Sequence, residues 1–473
     1  MGANLVAAKK ERNEMAMRRV FDLARSFLGA VRRQGVRAIP RIVWKFLLST
    51  RLGNKFAMRG VSGKVVKAAE IPVYRRTYRV ELPQGYPARA VEITIGVPAI
   101  PPRPHLEFAE HVVDGEGRAT DLVLASAMGG FGISHDLGAS WKYVKVDGIA
   151  DRRVVHVKRI GEDEYLLQVT ARIPDRSVPR EVEVLVANEA GRVLAANTLA
   201  ASLWHGCRSV DIAGGVLMYA EYPHEAPGAT PERRDTSRVW RSHDRGRSWH
   251  VAFEARDIRH FHFLQARPGH PGEWWLTSGD AQLESRVWVT KDDGDTWHDV
   301  TAAYGTPIRI GAVEYPKTLF RLTDLAWWGD DAIWGTDDFL YAIKGDAQGS
   351  RMFRSPCADM LVPSVVGRSK WQIRNLTDAA DAGDFLFILT QGCNRADATK
   401  DEKMPGVFLM PKAVHDPQLV HLFDVDVHSD IRTGFTYSRA SRAAKDGTFF
   451  SYRASTDAFP TGHKILRWDV RFS

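Results

Sequence analysis

Three octapeptides constrain this chain more than anything else in it: SHDLGASW at 134–141, SHDRGRSW at 242–249 and TKDDGDTW at 290–297. Each reads Ser/Thr-x-Asp-x-Gly-x-Ser/Thr-Trp. That order suits a tight turn between two strands. The carboxylate (Asp136, Asp244, Asp292) accepts from backbone N–H groups two residues on. The glycine (Gly138, Gly246, Gly294) adopts a backbone conformation costly for other residues. The indole (Trp141, Trp249, Trp297) buries a large ring and pins the hairpin to its neighbour.

Spacing turns the motif into an architecture. The first and second octapeptides start 108 residues apart, twice 54, and the second and third 48 apart. A degenerate copy, ANEAGRVL at 187–194, sits near the first midpoint and keeps Gly191. One repeat is therefore about 50 residues, the length of a four-stranded blade. Runs such as VEVLVAN, GVLMYAEY, EWWLTSGD and FLFILTQG read as short strands punctuated by turns. The expectation is an all-β chain: a β-propeller of about seven, and between six and eight, four-stranded blades over 62–473, preceded by a short basic helical segment over 1–61.

The octapeptides resemble the Asp-box, or BNR, repeat of sialidases and related glycosyl-hydrolase-like propellers. In that family the boxes lie on blade turns away from the active face. The resemblance therefore implies structural roles for Asp136, Gly138, Trp141, Asp244, Gly246, Trp249, Asp292, Gly294 and Trp297. It also implies an arginine cluster that receives an acidic sugar. The Arg-Ile-Pro signature of those enzymes has no counterpart in the body; Arg37-Ala38-Ile39-Pro40 precedes it.

The net charge of +8 is a property of the head, not of the body. Residues 1–60 hold fourteen Lys and Arg against three acids, a net of +11 that leaves the remainder at −3. Nucleic acid is thus not an expected partner of the body. Within the head, Val20, Phe21, Ala24, Phe27, Leu28 and Val31 recur at helical spacing. Such a basic amphipathic stretch can pack on the body, lie on an anionic membrane or meet a protein partner. No apolar run is long enough to span a bilayer, and no signal peptide stands out. The expected location is cytoplasmic, with peripheral membrane contact through the head as an option. Three scattered cysteines form no disulfide framework and no CxxC pair, and no cofactor or metal is expected.

In a propeller the inner strands line a channel, and loops at one mouth build the site. Polar residues recur beside the apolar runs: Arg118 and Asp121 before LVLASA, Arg208 before the run ending at Glu221 and Tyr222, and Arg259, His260 and His262 before the run ending at Ser278 and Asp280. Arg321 and Asp324 open the run that ends near Asp337, and Arg374 opens the next. Guanidinium groups bind carboxylates in a bidentate fork, so Arg208, Arg321 and Arg374, with Asp324, are the substrate-binding candidates. The catalytic candidates are Asp280 and Asp337 as a carboxylate pair, Glu221 and Tyr222, and His260 with His262. Strand alternation puts those two histidines on one face, about 6–7 Å apart. It puts Glu221 and Tyr222 on opposite faces.

Three functions fit these residues. The first is a sialidase-like hydrolase acting on an acidic glycan in the channel mouth. The second is a non-catalytic propeller that binds or assembles. The third is a lyase on uronate polymers, with His260 or His262 and Tyr222 as base and acid and Arg321 neutralising the carboxylate.

Overall fold

The computed structural model describes residues 65–67 and most of 75–473; the head up to 64 and segments that include 202–208, 223–235, 280, 336–350, 369–375, 391–405, 425–446 and 453–464 lie outside the described residues. The helical reading of the head lies outside them too. Among the described residues there is no α-helix, only a 3-10 turn at Lys317–Phe320, and no helix is long and apolar enough to cross a membrane.

The chain is a β-propeller. Six blades are antiparallel meanders of four consecutive strands. Their first strands are Leu106–Val113, Arg153–Arg159, Val210–Ala213, Phe261–Ala266, Ala326–Trp328 and Leu376–Ala382, for blades 1 to 6. A further four-stranded sheet is built from both ends of the body: Arg75–Glu81 and Ala90–Gly96 pair with Ile465–Phe472 and Thr448–Tyr452. This sheet closes the ring, because Thr448–Tyr452 lies beside the first strand of blade 1. The short strand Val65–Lys67 adds a fifth strand to the outer edge of blade 1. A hairpin, Ile308–Ile310 with Val313–Tyr315, is inserted between blades 4 and 5.

The core lies between blades. One apolar cluster joins blades 1 and 2, a second blades 2 and 3, and a third blades 3 and 4. Others join blades 4 and 5, 5 and 6, and blade 6 with the closing sheet. A middle strand is therefore covered on both faces, which is why VLMYA at 216–220 and WWLTS at 274–278 are buried at every position. Outer strands keep a solvated side, as in His250–Ala255.

All four octapeptide positions occupy the turn between the third and fourth strands, in blades 1 to 4. Three antiparallel strands lead from the start of each blade to this turn, so the octapeptides sit opposite the end where the first strands begin. In the three complete copies the chemistry repeats atom for atom. Asp244 Oδ1 accepts from Ser242 Oγ at 2.8 Å and Ser248 N at 2.9 Å, and Oδ2 from Ser248 Oγ at 2.6 Å. Ser242 Oγ in turn accepts from Gly246 N at 2.8 Å. Asp136 and Asp292 make the same set with Ser134 and Ser140, and with Thr290 and Thr296.

Two details were not legible beforehand. The residue before each glycine is left-handed as well: Leu137, Arg245 and Asp293 have φ of 54°, 58° and 53°. Only Trp141 is fully buried, against Phe450 of the closing sheet; Trp249 and Trp297 are half-buried. Trp141 and Trp249 donate to the carbonyl of their own box glycine at 3.0 and 3.1 Å.

One assignment is corrected. LVLASA belongs to Ala119–Ala127, the second strand of blade 1, not the first. Arg118 and Asp121 therefore lie at the octapeptide end, where Arg118 pairs with Asp114 and the Asp121 carbonyl accepts from Leu137 N. The apolar period of a first and a second strand is identical, so pattern alone could not separate them.

Candidate functional site at the channel mouth

Several first strands carry a β-bulge close to their start. The register slips between Leu106 and Phe108, Val154 and His156, Phe261 and Phe263, and Leu376 and Asp378. A bulge adds one residue on one strand and re-aims its side chain. In blade 4 the added residue is His262. Its ring centroid lies 5.1 Å from that of His260, with the planes tilted by 36°. His262 Nδ1 is 3.3 Å from the carbonyl of Leu322, which opens blade 5 and also accepts from Thr277 Oγ1 at 2.8 Å.

Blades 3, 4 and 5 converge here. Tyr222 follows the second strand of blade 3 and stacks on His260, with centroids 3.7 Å apart and planes at 20°. His260 is 3% exposed and His262 8%, while Tyr222 is half-buried. Arg321 is half-buried, and its stem covers Gly279 at the end of blade 4's second strand. A Cβ there would lie 2.8 Å from Arg321 Cγ. Asp324 is 2% exposed and accepts from Leu325 N at 2.7 Å.

Glu221 takes the other direction from Tyr222, as alternation requires. Its Oε1 accepts from Trp240 Nε1 at 2.6 Å and its Oε2 from Arg238 N at 3.1 Å. Burial pushes its carboxyl up to about 6, against the lowering pull of Trp240 and Arg238. This carboxylate is committed to its own blade. Of the remaining candidates, Asp280, Asp337, Arg208 and Arg374 lie outside the described residues.

A second polar cluster sits deeper along the first strands. Lys158 of blade 2 is 2.9 Å from Glu110 of blade 1 and 3.4 Å from Asp211 of blade 3. His156 Nε2 lies 2.9 Å from Glu110 Oε1, and Asp211 Oδ2 accepts from Ala266 N of blade 4 at 3.0 Å. Burial alone would raise Glu110; Lys158 and then His156 outweigh it and hold the carboxyl at about 2. Burial lowers His156 despite Glu110. Lys158 is raised, since Glu110 and Asp211 overcome its desolvation. Sequence reading missed this network because it searched strand ends. The signal was polar residues inside apolar runs: EFAEHVV, VVHVKR and SVDIA. Among the described residues no group of three His, Cys, Asp or Glu could hold a metal ion.

These carboxylates make acid stability a direct test. Hydrogen bonds from Ser248 outweigh the burial of Asp244 and hold it at about 2; bonds from Thr290 and Thr296 overcome the desolvation of Asp292 to the same result. The ordinary values are 4.5 for Glu and 3.8 for Asp. A depressed folded-state pKa stabilises fully above the ordinary value and is lost as pH falls through the folded one. The urea midpoint should therefore hold down to about pH 5 and fall steeply towards pH 2. A midpoint unchanged across that window would contradict these assignments.

No family model and no curated protein matches the chain. Among solved structures it is similar to an oligogalacturonate lyase from Vibrio parahaemolyticus, with 11% identity, 86% of this chain and 98% of that chain covered, and a TM-score of 0.49. It is similar to the WD40 domain of Neurospora crassa Pan2, with 8% identity, 79% and 92% covered, and a TM-score of 0.41. It is also similar to a GH74 enzyme from Niastella koreensis, with 10% identity, 76% and 60% covered, and a TM-score of 0.40. These likenesses are distant, and the propeller is defined by its own strand order.

Proposed function

We propose that the propeller receives an acidic glycan at the mouth formed by blades 3, 4 and 5, and that Tyr222 and His260 carry chemistry on it. The observation behind this reading is the convergence of a phenol, two imidazoles and the Arg321 stem from three successive blades. An arginine meets a sugar carboxylate, and a tyrosine face packs on a sugar ring. The octapeptide turns, repeated at one blade position and away from this mouth, support kinship with Asp-box propellers.

Of the two reactions, β-elimination fits the residues better than hydrolysis. Most glycoside hydrolysis uses two carboxyl groups flanking the bond, and sialidases use a tyrosine nucleophile instead. Glu221, the carboxylate next to Tyr222, is bonded to Trp240 and Arg238 and is not placed to assist it. In elimination, His260 takes the proton beside the sugar carboxylate, a double bond forms, and the bond to the leaving oxygen breaks. The Tyr222 phenol protonates that oxygen. A hydrolase would depend instead on Asp280 and Asp337. A binding module is the second reading, favoured by the burial of His260 beneath Tyr222.

The test is a panel of sialylated, uronate and other acidic oligosaccharides, followed by calorimetry and by cleavage. Arg321→Lys keeps the charge but loses the fork, so binding should weaken by about 1–3 kcal/mol. Tyr222→Phe should slow cleavage at least about 100-fold while binding persists. New ultraviolet absorbance from an unsaturated uronate marks a lyase, and new reducing ends without it mark a hydrolase. Binding without cleavage marks a module. No binding to any acidic glycan overturns the proposal.

A further inference from the structure

We infer that Glu221 is a positioning residue, whose buried carboxylate anchors the end of blade 3 so that Tyr222 is held against His260 of blade 4. This rests on the reading of Tyr222 and His260 as the working pair. Every polar atom of Glu221 is engaged. Its N donates to the Arg238 carbonyl at 2.9 Å, its Oε2 accepts from Arg238 N at 3.1 Å, and its Oε1 accepts from Trp240 Nε1 at 2.6 Å. Its own carbonyl accepts from Phe261 N at 3.4 Å, one residue beyond His260.

These bonds explain how two adjacent residues serve different ends. The ladder between the second and third strands of blade 3 runs to Ala220, opposite Val239, and Glu221 N adds one more backbone bond, to the Arg238 carbonyl. Glu221 then continues the pairing with its side chain, which frees the chain to leave the sheet. Tyr222, on the opposite face, is thereby delivered to the neighbouring blade. The bond from Phe261 fixes the two blades at the level of the stack, and Ser237 Oγ reaches the Arg259 carbonyl at 3.5 Å beside it. A bond from an indole to a buried carboxylate is short and directional, so it suits the fixing of a strand end. Both oxygens of this carboxylate are already taken by Arg238 N and Trp240 Nε1, which leaves neither for a substrate.

The experiment uses the full chain labelled at histidine. A stacked phenol shifts the His260 ring protons upfield, and His260→Gln identifies that signal. Glu221→Leu should collapse the shift while the thermal transition stays cooperative. Glu221→Gln, which keeps the acceptor for Trp240, should retain it. If Glu221→Leu does not fold, Trp240→Phe removes the other end of the bond and should shrink the same shift. An unchanged shift in the folded Leu variant, or in Trp240→Phe where Leu fails, overturns the inference. This readout needs no turnover, so it stands apart from the glycan panel. Where the panel finds cleavage, Glu221→Leu should lower kcat about 100-fold and move KM less than about threefold, with the Gln variant close to wild type. Loss confined to KM would also overturn it.

Discussion

Replacing Lys158 by methionine is expected to cost about 3 kcal/mol of folding free energy, among the largest effects available to a single side chain here. Lys158 lies between Glu110 and Asp211 on three successive first strands. Removing it leaves two carboxylates facing each other with little solvent, since their side chains are 16% and 17% exposed. The cost of that loss is the unpaired charge left behind, not the attraction that disappears. Lys158 is itself 19% exposed, which sets the estimate at the low end of the range for buried pairs. Combining Lys158→Met with Glu110→Gln and Asp211→Asn should therefore recover most of the loss, because no charge is then stranded. Asn keeps an acceptor for Ala266 N. Urea unfolding of the single and triple variants decides. A single variant within about 0.5 kcal/mol of wild type, or a triple variant worse than the single, would remove the network from the list of structural determinants.

The fold was legible because its repeat is written in side chains with only one geometry. Ser-x-Asp-x-Gly-x-Ser closes a turn by five bonds within eight residues, so spacing between copies measured blades directly. The mouth was legible in part. Arg321, His260, His262 and Tyr222 were found because polar residues at the edge of an apolar run mark a strand end, and three of these ends proved to converge. The role of Glu221 was not legible. Alternation separated it from Tyr222, but its partners Trp240 and Arg238 lie on another strand, and register is not encoded in either segment alone. Nor was the bulge at His262, which depends on how Phe261–Ala266 pairs with Trp274–Ser278. The buried cluster was missed for the converse reason: Glu110, Lys158 and Asp211 sit inside runs whose other residues read simply as core.

The degenerate copy in blade 2 gives the second large effect. It lacks the aspartate and the tryptophan, yet Gly191 keeps a φ of 83°. Asn188 Oδ1 accepts from Arg192 N at 2.9 Å, which replaces part of the missing carboxylate. The turn docks on the outer strand of blade 1, where Asp147 N donates to the Gly191 carbonyl at 2.9 Å. A Cβ at Gly191 would lie 2.0 Å from the Lys145 carbonyl oxygen, a backbone atom with no rotamer to retreat into. At Gly246, by contrast, the nearest atom is a Leu166 methyl at 2.8 Å, which can turn aside. Both positions carry the left-handed penalty of about 1–3 kcal/mol, but only Gly191 adds the separation of two blades. Gly191→Ala is thus expected to cost about 3 kcal/mol or more, and Gly246→Ala about 1–2 kcal/mol. The copy that has lost most of the motif should be the less tolerant of the two. Urea midpoints of the two alanine variants test the ranking, and equal losses, or a larger one at Gly246, would show that blade 2 does not depend on this close approach.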